Sequence, residues 1–136
     1  MTTTTGRGLA VTSPKLIFTE SGKHCYAYSG SITVNNDSVE CLKFKTGNDP
    51  IIADFSQAID YTNVGGAKFT GFTIKLNCVI IATNYEATDT AGKSENNNPS
   101  SYRFLIPPLT EVITIASTDS AADNPFFHSI VGEVYG

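Results

Sequence analysis

The sequence predicts an all-β protein, an antiparallel β-sandwich of about eight strands arranged as a jelly roll or as an immunoglobulin-like sandwich. Three observations lead there. Residues 24–34 alternate side by side in the two-residue period of an extended strand, and similar short segments recur along the chain. Clusters of Asn, Asp, Gly and Pro separate those segments at the intervals that turns between packed strands require. No window of a dozen residues shows the i, i+3, i+4, i+7 apolar rhythm of an amphipathic helix, because Gly, Pro and Asn interrupt every candidate.

Residues 1–13 hold four consecutive threonines, two glycines and only Leu9 and Val11 as sizeable apolar groups, a composition that predicts a flexible N-terminal arm. Pro14 closes it, and residues 14–136 form a single sandwich domain. From His24 to Val34, Tyr26, Tyr28, Gly30, Ile32 and Val34 share one side of a strand, with Cys25, Ala27, Ser29, Ser31 and Thr33 on the other. Asn35-Asn36-Asp37-Ser38 predicts a tight hairpin turn. The strand after it, residues 39–46, points Leu42 and Phe44 inward and Lys43 and Lys45 outward. Gly47-Asn48-Asp49-Pro50 turns the chain again. Ile51, Ala53, Phe55 and Ile59 mark a third strand that loosens over residues 56–60, and Gly65-Gly66 breaks the chain next.

Residues 68–85 read as one long strand with Phe72, Ile74, Leu76, Cys78, Ile80 and Ala82 on one face, half exposed at its start and buried on both sides at its end. Residues 86–101 are polar and read as a long loop, beyond the ~12–15 residues usual for unstructured connections. Residues 102–106, 111–116 and 130–135 complete the strands. Pro107-Pro108 joins the first two of these, and Asp123-Asn124-Pro125 forms a turn before Phe126 and Phe127.

The composition narrows the function. At 136 residues and 40% hydrophobic content, the chain fits one domain with its own core. Only 16% of residues are charged and the net charge is −4, with basic residues scattered singly apart from Lys43 and Lys45, which argues against nucleic-acid binding. No apolar run approaches the ~20 residues of a membrane-crossing helix, so no membrane partner is expected. The N-terminus lacks a charged start followed by an apolar stretch, and the chain is expected to act without export. Cys25, Cys41 and Cys78 are odd in number and none are spaced C-x-x-C, so buried free thiols are expected.

Catalytic chemistry finds little footing. His24 and His128 are the two histidines, each read as lying at a strand edge and neither in a ligand spacing. No G-x-S-x-G elbow supports nucleophilic catalysis. Asp37, Asp49, Asp89, Asp119 and Asp123 fall in turns, where Asp bonds its own backbone, and the EF-hand spacing is absent around Asp119 and Asp123. Gly65-Gly66 and Gly6-Arg7-Gly8 lead from no strand into a helix, as a phosphate loop would. No catalytic residue, metal ligand or cofactor site is predicted. Tyr26 and Tyr28 suit a sugar platform in principle, but two tyrosines at i and i+2 ordinarily pack on a sheet face.

The segments Tyr26-Ala-Tyr-Ser-Gly-Ser-Ile-Thr-Val-Asn-Asn and Leu42-Lys-Phe-Lys-Thr-Gly47 resemble small structural proteins of tailed bacteriophage virions. Leu105-Ile-Pro-Pro-Leu-Thr-Glu-Val112 and Ile130-Val-Gly-Glu-Val-Tyr-Gly136 extend the resemblance over most of residues 24–136. It implies a capsid decoration or cement protein, non-enzymatic, that binds the major capsid protein on the outer surface of a phage shell and braces it. It further implies a homo-oligomer, commonly a trimer, located on the virion after assembly in the host cytoplasm. Contacts with the capsid or between subunits are expected at Leu9 and Val11 of the arm and at Phe126 and Phe127. The alternative is a carbohydrate-binding or host-attachment module of a virion with the same sandwich fold, which solvent-exposed tyrosines would favour.

Overall fold

A computed structural model describes residues 17–21, 23–59, 69–87, 100–119 and 123–135. These form nine β-strands and no helix. They are β1 (Ile17–Ser21), β2 (His24–Val34), β3 (Asp37–Lys45), β4 (Ile51–Ile59), β5 (Phe69–Leu76), β6 (Val79–Ala87), β7 (Ser100–Ile106), β8 (Glu111–Thr118) and β9 (Asn124–Val134). Two antiparallel sheets result, β1-β2-β9-β4-β7 and β3-β8-β5-β6. The pairs β2·β9, β3·β8, β4·β7 and β5·β6 nest inside one another like the two halves of a single long ribbon. The contacts β4·β9 and β5·β8 then stitch the folded ribbon into two sheets. This is the jelly-roll order, so the sandwich is a jelly roll rather than an immunoglobulin-like one.

The core lies between the sheets. Leu42, Phe44, Phe72, Ile74 and Val112 from the four-stranded sheet meet Ala27, Ile51, Phe55, Ile106 and Ile130 from the five-stranded one. Phe55 and Phe72 touch across the gap with ring centroids 4.7 Å apart. A smaller cluster of Val34, Cys41, Ala116 and Phe126 fills one end.

Two bulges correct the simple alternation. In β2, Ser29 and Gly30 together oppose His128, and Gly30 sits at φ 70°, a left-handed conformation that glycine adopts freely. The extra residue switches which side chains face inward. Before it Cys25, Ala27 and Ser29 are buried; after it Val34 is buried and Ile32 half-buried. Tyr26 and Tyr28 therefore lie on the opposite face from Val34, not on the same one. In β3, Cys41 is the extra residue, which lets Cys41 and Leu42 both enter the core and leaves Lys43 and Lys45 half-exposed.

The long strand expected over residues 68–85 is instead a hairpin. Asn77 and Cys78 have φ of 49° and 68°, the paired left-handed residues of a type I′ turn, and they reverse the chain between β5 and β6. The burial trend is also the reverse of the expected one: β5 is an interior strand buried from Thr70 to Ile74, whereas β6 is a sheet edge with Val79 and Ile80 exposed. Asn35-Asn36 does not make a hairpin either, since β2 and β3 belong to different sheets and the turn crosses the sandwich. β4 runs unbroken to Ile59, and β9 begins at Asn124, so Pro125 is inside a strand. Pro125 is tolerated because only β2 runs beside it there, β4 having ended opposite Phe126.

One end of the sandwich is tied by backbone and threonine. The buried Thr46 donates its amide to Thr110 O, accepts the Thr110 amide on Oγ1 and donates that hydroxyl to Pro107 O, each at 2.9 Å. Leu109, at φ 53°, donates its amide to Gly47 O. The Pro107-Pro108 connection is thereby locked to the β3–β4 connection.

Candidate protein-contact face

The outer face of the five-stranded sheet is assembled by register. Tyr26, Val131, Asp54 and Arg103 are successive cross-strand partners on β2, β9, β4 and β7. The adjacent row is His24, Glu133, Ile52 and Leu105. Tyr26, Val131 and Leu105 are 42%, 53% and 58% exposed. Tyr28 and Ile52 are half-buried among them, and the Tyr26 and Tyr28 rings stack at 6.3 Å.

The charges on this face are largely answered locally. Arg103 stands 4.0 Å from Asp54, an exposed pair of small energetic worth that nevertheless leaves the surface near neutral. Glu133 accepts the Tyr135 hydroxyl at 2.7 Å, and that bond raises the phenol above its ordinary range. A weakly charged surface with tyrosines and aliphatic groups matches the composition of protein-contact centres, which are depleted in Lys, Asp and Glu and enriched in aromatics and Arg.

Of the expected contact residues, Leu9 and Val11 lie outside the described residues, as do Gly6-Arg7-Gly8, Gly65-Gly66 and Asp89. Phe126 is fully buried in the smaller core cluster, where its ring has no surface to offer another chain, and Phe127 is half-buried. Tyr26, considered from the sequence as part of a sugar platform, is exposed on this face. Val131, Ile52 and Leu105 were not picked out as surface residues, because each is an ordinary strand aliphatic until cross-strand register places it beside the others.

His128 is not at a strand edge. It occupies the middle of β9, fully buried, with its ring edge-on to Phe55 at 5.0 Å. Its Nε2 lies 2.7 Å from Gln57 Oε1 and its Nδ1 2.8 Å from Thr114 Oγ1, while its amide donates to Ser29 Oγ at 3.0 Å. With Gln57 Oε1 as acceptor, Nε2 carries the proton and Nδ1 accepts from the Thr114 hydroxyl. Burial pushes the imidazole down to about 3, which keeps it neutral. The Thr114 bond crosses between the sheets, and Ser29, inward-facing in alternation with Cys25 and Ala27, meets the His128 amide where the β2 bulge sets both Ser29 and Gly30 opposite His128. Gln57 Nε2 has no hydrogen-bond partner among the described residues. His128, Ser29 and Thr114 are fully buried and Gln57 nearly so, and the network orders the core.

Asp119 and Asp123 stay apart. Asp119 Oδ1 accepts the Phe69 amide and Asp123 Oδ1 accepts the Asn35 side-chain amide, each at or below 2.8 Å, so the two serve separate turns. No group of three or more His, Cys, Asp or Glu able to hold a metal is found among the described residues. Cys25 and Cys41 are buried, but Cys78 is exposed on the β5–β6 turn, contrary to the expectation of three buried thiols.

The strand order and these sites define a jelly-roll β-sandwich. No family model matches the chain, and no curated protein matches it. Among solved structures it is similar to the structure of infectious bursal disease virus Gx strain, at 14% identity and a TM-score of 0.49, over 93% of this chain and 34% of that one. It is also similar to dimeric latent PorU from Porphyromonas gingivalis, at 14% identity and a TM-score of 0.48, over 98% of this chain and 14% of that one. The chain thus spans about a third of the first and about a seventh of the second. At these values neither likeness bears on function.

Proposed function

We propose that this chain is a non-enzymatic virion structural protein of the decoration or cement type, which docks on the major capsid protein through the outer face of its five-stranded sheet. The observation that carries this reading is the near-neutral array of Tyr26, Tyr28, Ile52, Leu105 and Val131 around the Asp54–Arg103 pair. The resemblance of residues 24–136 to small phage virion proteins supports it. Modest affinity per copy suffices for such a role when many copies bind a repeating shell and also touch one another.

Self-association, with a trimer favoured, would use the edge of β6 that no described strand pairs, where Val79 and Ile80 are exposed. An apolar edge strand left open invites pairing with other chains, and burying it between subunits removes that hazard. The protein would then reside on the capsid surface of virions assembled in the host cytoplasm.

The test is co-sedimentation of the purified chain with empty capsids of the virus that encodes it, coupled to light scattering against the 14.5 kDa of one chain. Binding that Val131→Asp abolishes without changing the unfolding transition is the expected result, since an unpaired charge at the centre of a contact is costly to desolvate. Wild-type protein that never pellets with capsids would remove the reading. A monomeric mass would remove the trimer alone.

A further inference from the structure

The outer face of the other sheet carries a groove of about 340 Å³ where β3 begins and β8 ends. Ser38, Ser117, Gly71 and Tyr85 are successive cross-strand partners there, on β3, β8, β5 and β6. The missing side chain of Gly71 matters. A Cβ at that position would stand 2.5 Å from Tyr85 Cδ1 and 2.1 Å from Asn84 O, so the glycine makes the space in which the tyrosine ring lies against the backbone of β5. Tyr85 is nonetheless 52% exposed, and Phe69 is exposed beside the same groove.

Polar groups converge on this aromatic floor. Ser38 and Ser117 share a hydroxyl–hydroxyl bond of 2.8 Å, which consumes one of their two protons. Asp37 and Asp119 are each anchored through Oδ1, the first by the Ser38 amide and the second by the Phe69 amide, both at 2.7 Å. Among the described residues the second oxygen of each carboxylate has no partner, and it can accept from a ligand. Among the described residues, no Lys, Arg or His lines the groove.

This chemistry selects its occupant. Two carboxylates among its described lining residues disfavour anions, which makes phosphates and acidic sugars poor occupants. A stacking surface beside fixed acceptors and a hydroxyl pair suits a molecule with an apolar C–H face and several O–H donors. The volume falls at the small end of the ~300–1,000 Å³ range of ligand clefts, the scale of one or two sugar rings. We propose that this groove binds a neutral saccharide, with a pyranose face on Tyr85 and hydroxyls donated to Asp37 and Asp119. The site lies on the opposite side of the sandwich from the proposed capsid-docking face and does not depend on it.

The experiment is an NMR titration of the isotope-labelled full chain with neutral mono- and disaccharides: glucose, galactose, mannose, N-acetylglucosamine, lactose and maltose. An affinity on the order of 1 mM is expected, because a single open groove offsets little more than the cost of ordering its ligand. Shifts should concentrate at Phe69, Gly71, Tyr85 and Ser117. Tyr85→Ala should weaken binding about tenfold or more, while Tyr85→Phe retains it. If Tyr85→Ala does not fold, Ser117→Trp, which fills the groove from β8, should abolish binding instead. No shift with any of these sugars would overturn the assignment, and so would shifts centred on Tyr26 and Tyr28.

Discussion

Burial of a neutral imidazole gives His128 a clear pH signature among the described residues. In the unfolded chain a histidine titrates near 6.5, whereas in the fold His128 does so at about 3. Between those values the unfolded state binds a proton that the folded state refuses, so stability falls as the pH is lowered from about 6.5 and is insensitive to this group above it. The slope from one such group is about 1.4 kcal/mol per pH unit within that window. Gln57, Thr114, Ser29 and Phe55 surround the ring and carry no charge to offset it. Denaturant unfolding of wild type and His128→Gln at pH 7, 6, 5 and 4 should therefore show the wild type losing stability relative to the variant with each step down. Parallel pH profiles would mean that the folded histidine accepts its proton near the ordinary value.

At the scale of the strand, two left-handed positions can be separated by substitution. Gly30 has open space where a Cβ would go, so Gly30→Ala tests the backbone alone and should cost about 1–2 kcal/mol, read as a lower denaturation midpoint with unchanged slope. Cys78 already bears the same kind of strain at φ 68°, and Cys78→Gly should stabilise the hairpin by about 1 kcal/mol. The same variant should remove the one thiol that modifies rapidly in folded protein, because burial raises the Cys41 thiol to about 12 and Cys25 is shielded in the core. These positions also show where the sequence was legible. Leu42, Phe44, Lys43 and Lys45 face as alternation predicts, since the bulge at Cys41 precedes them. Tyr26 and Val34 do not share a face, because one glycine between them shifts the count. The Asn77-Cys78 turn was hidden by the apolar residues on both sides of it, although Asn is among the residues that tolerate a left-handed conformation.

For the whole molecule, the sandwich class was readable from strand and turn spacing, but the pairing of strands distant in sequence was not, since a two-residue period says which side faces inward and nothing about the neighbour. The contact face and the groove share that origin: Tyr26 meets Val131, and Ser117 meets Gly71 and Tyr85, only through register. The same topology sets the order of events in time. β9 lies in the middle of the five-stranded sheet, between β2 and β4, and pairs His24 with Glu133. A chain truncated after residue 119 is thus expected to lack a cooperative unfolding transition by calorimetry or circular dichroism, having lost the strand that joins β2 to β4. During synthesis, residues 24–34 and 51–59 must wait for residues 124–134 to leave the ribosome before that sheet can close. Closure over so long a stretch of chain is intrinsically slow, and until it happens the apolar strands are open to wrong partners. The interval between translation of β2 and arrival of β9 is the period in which this protein is most exposed to aggregation, and in which a chaperone would have most to do.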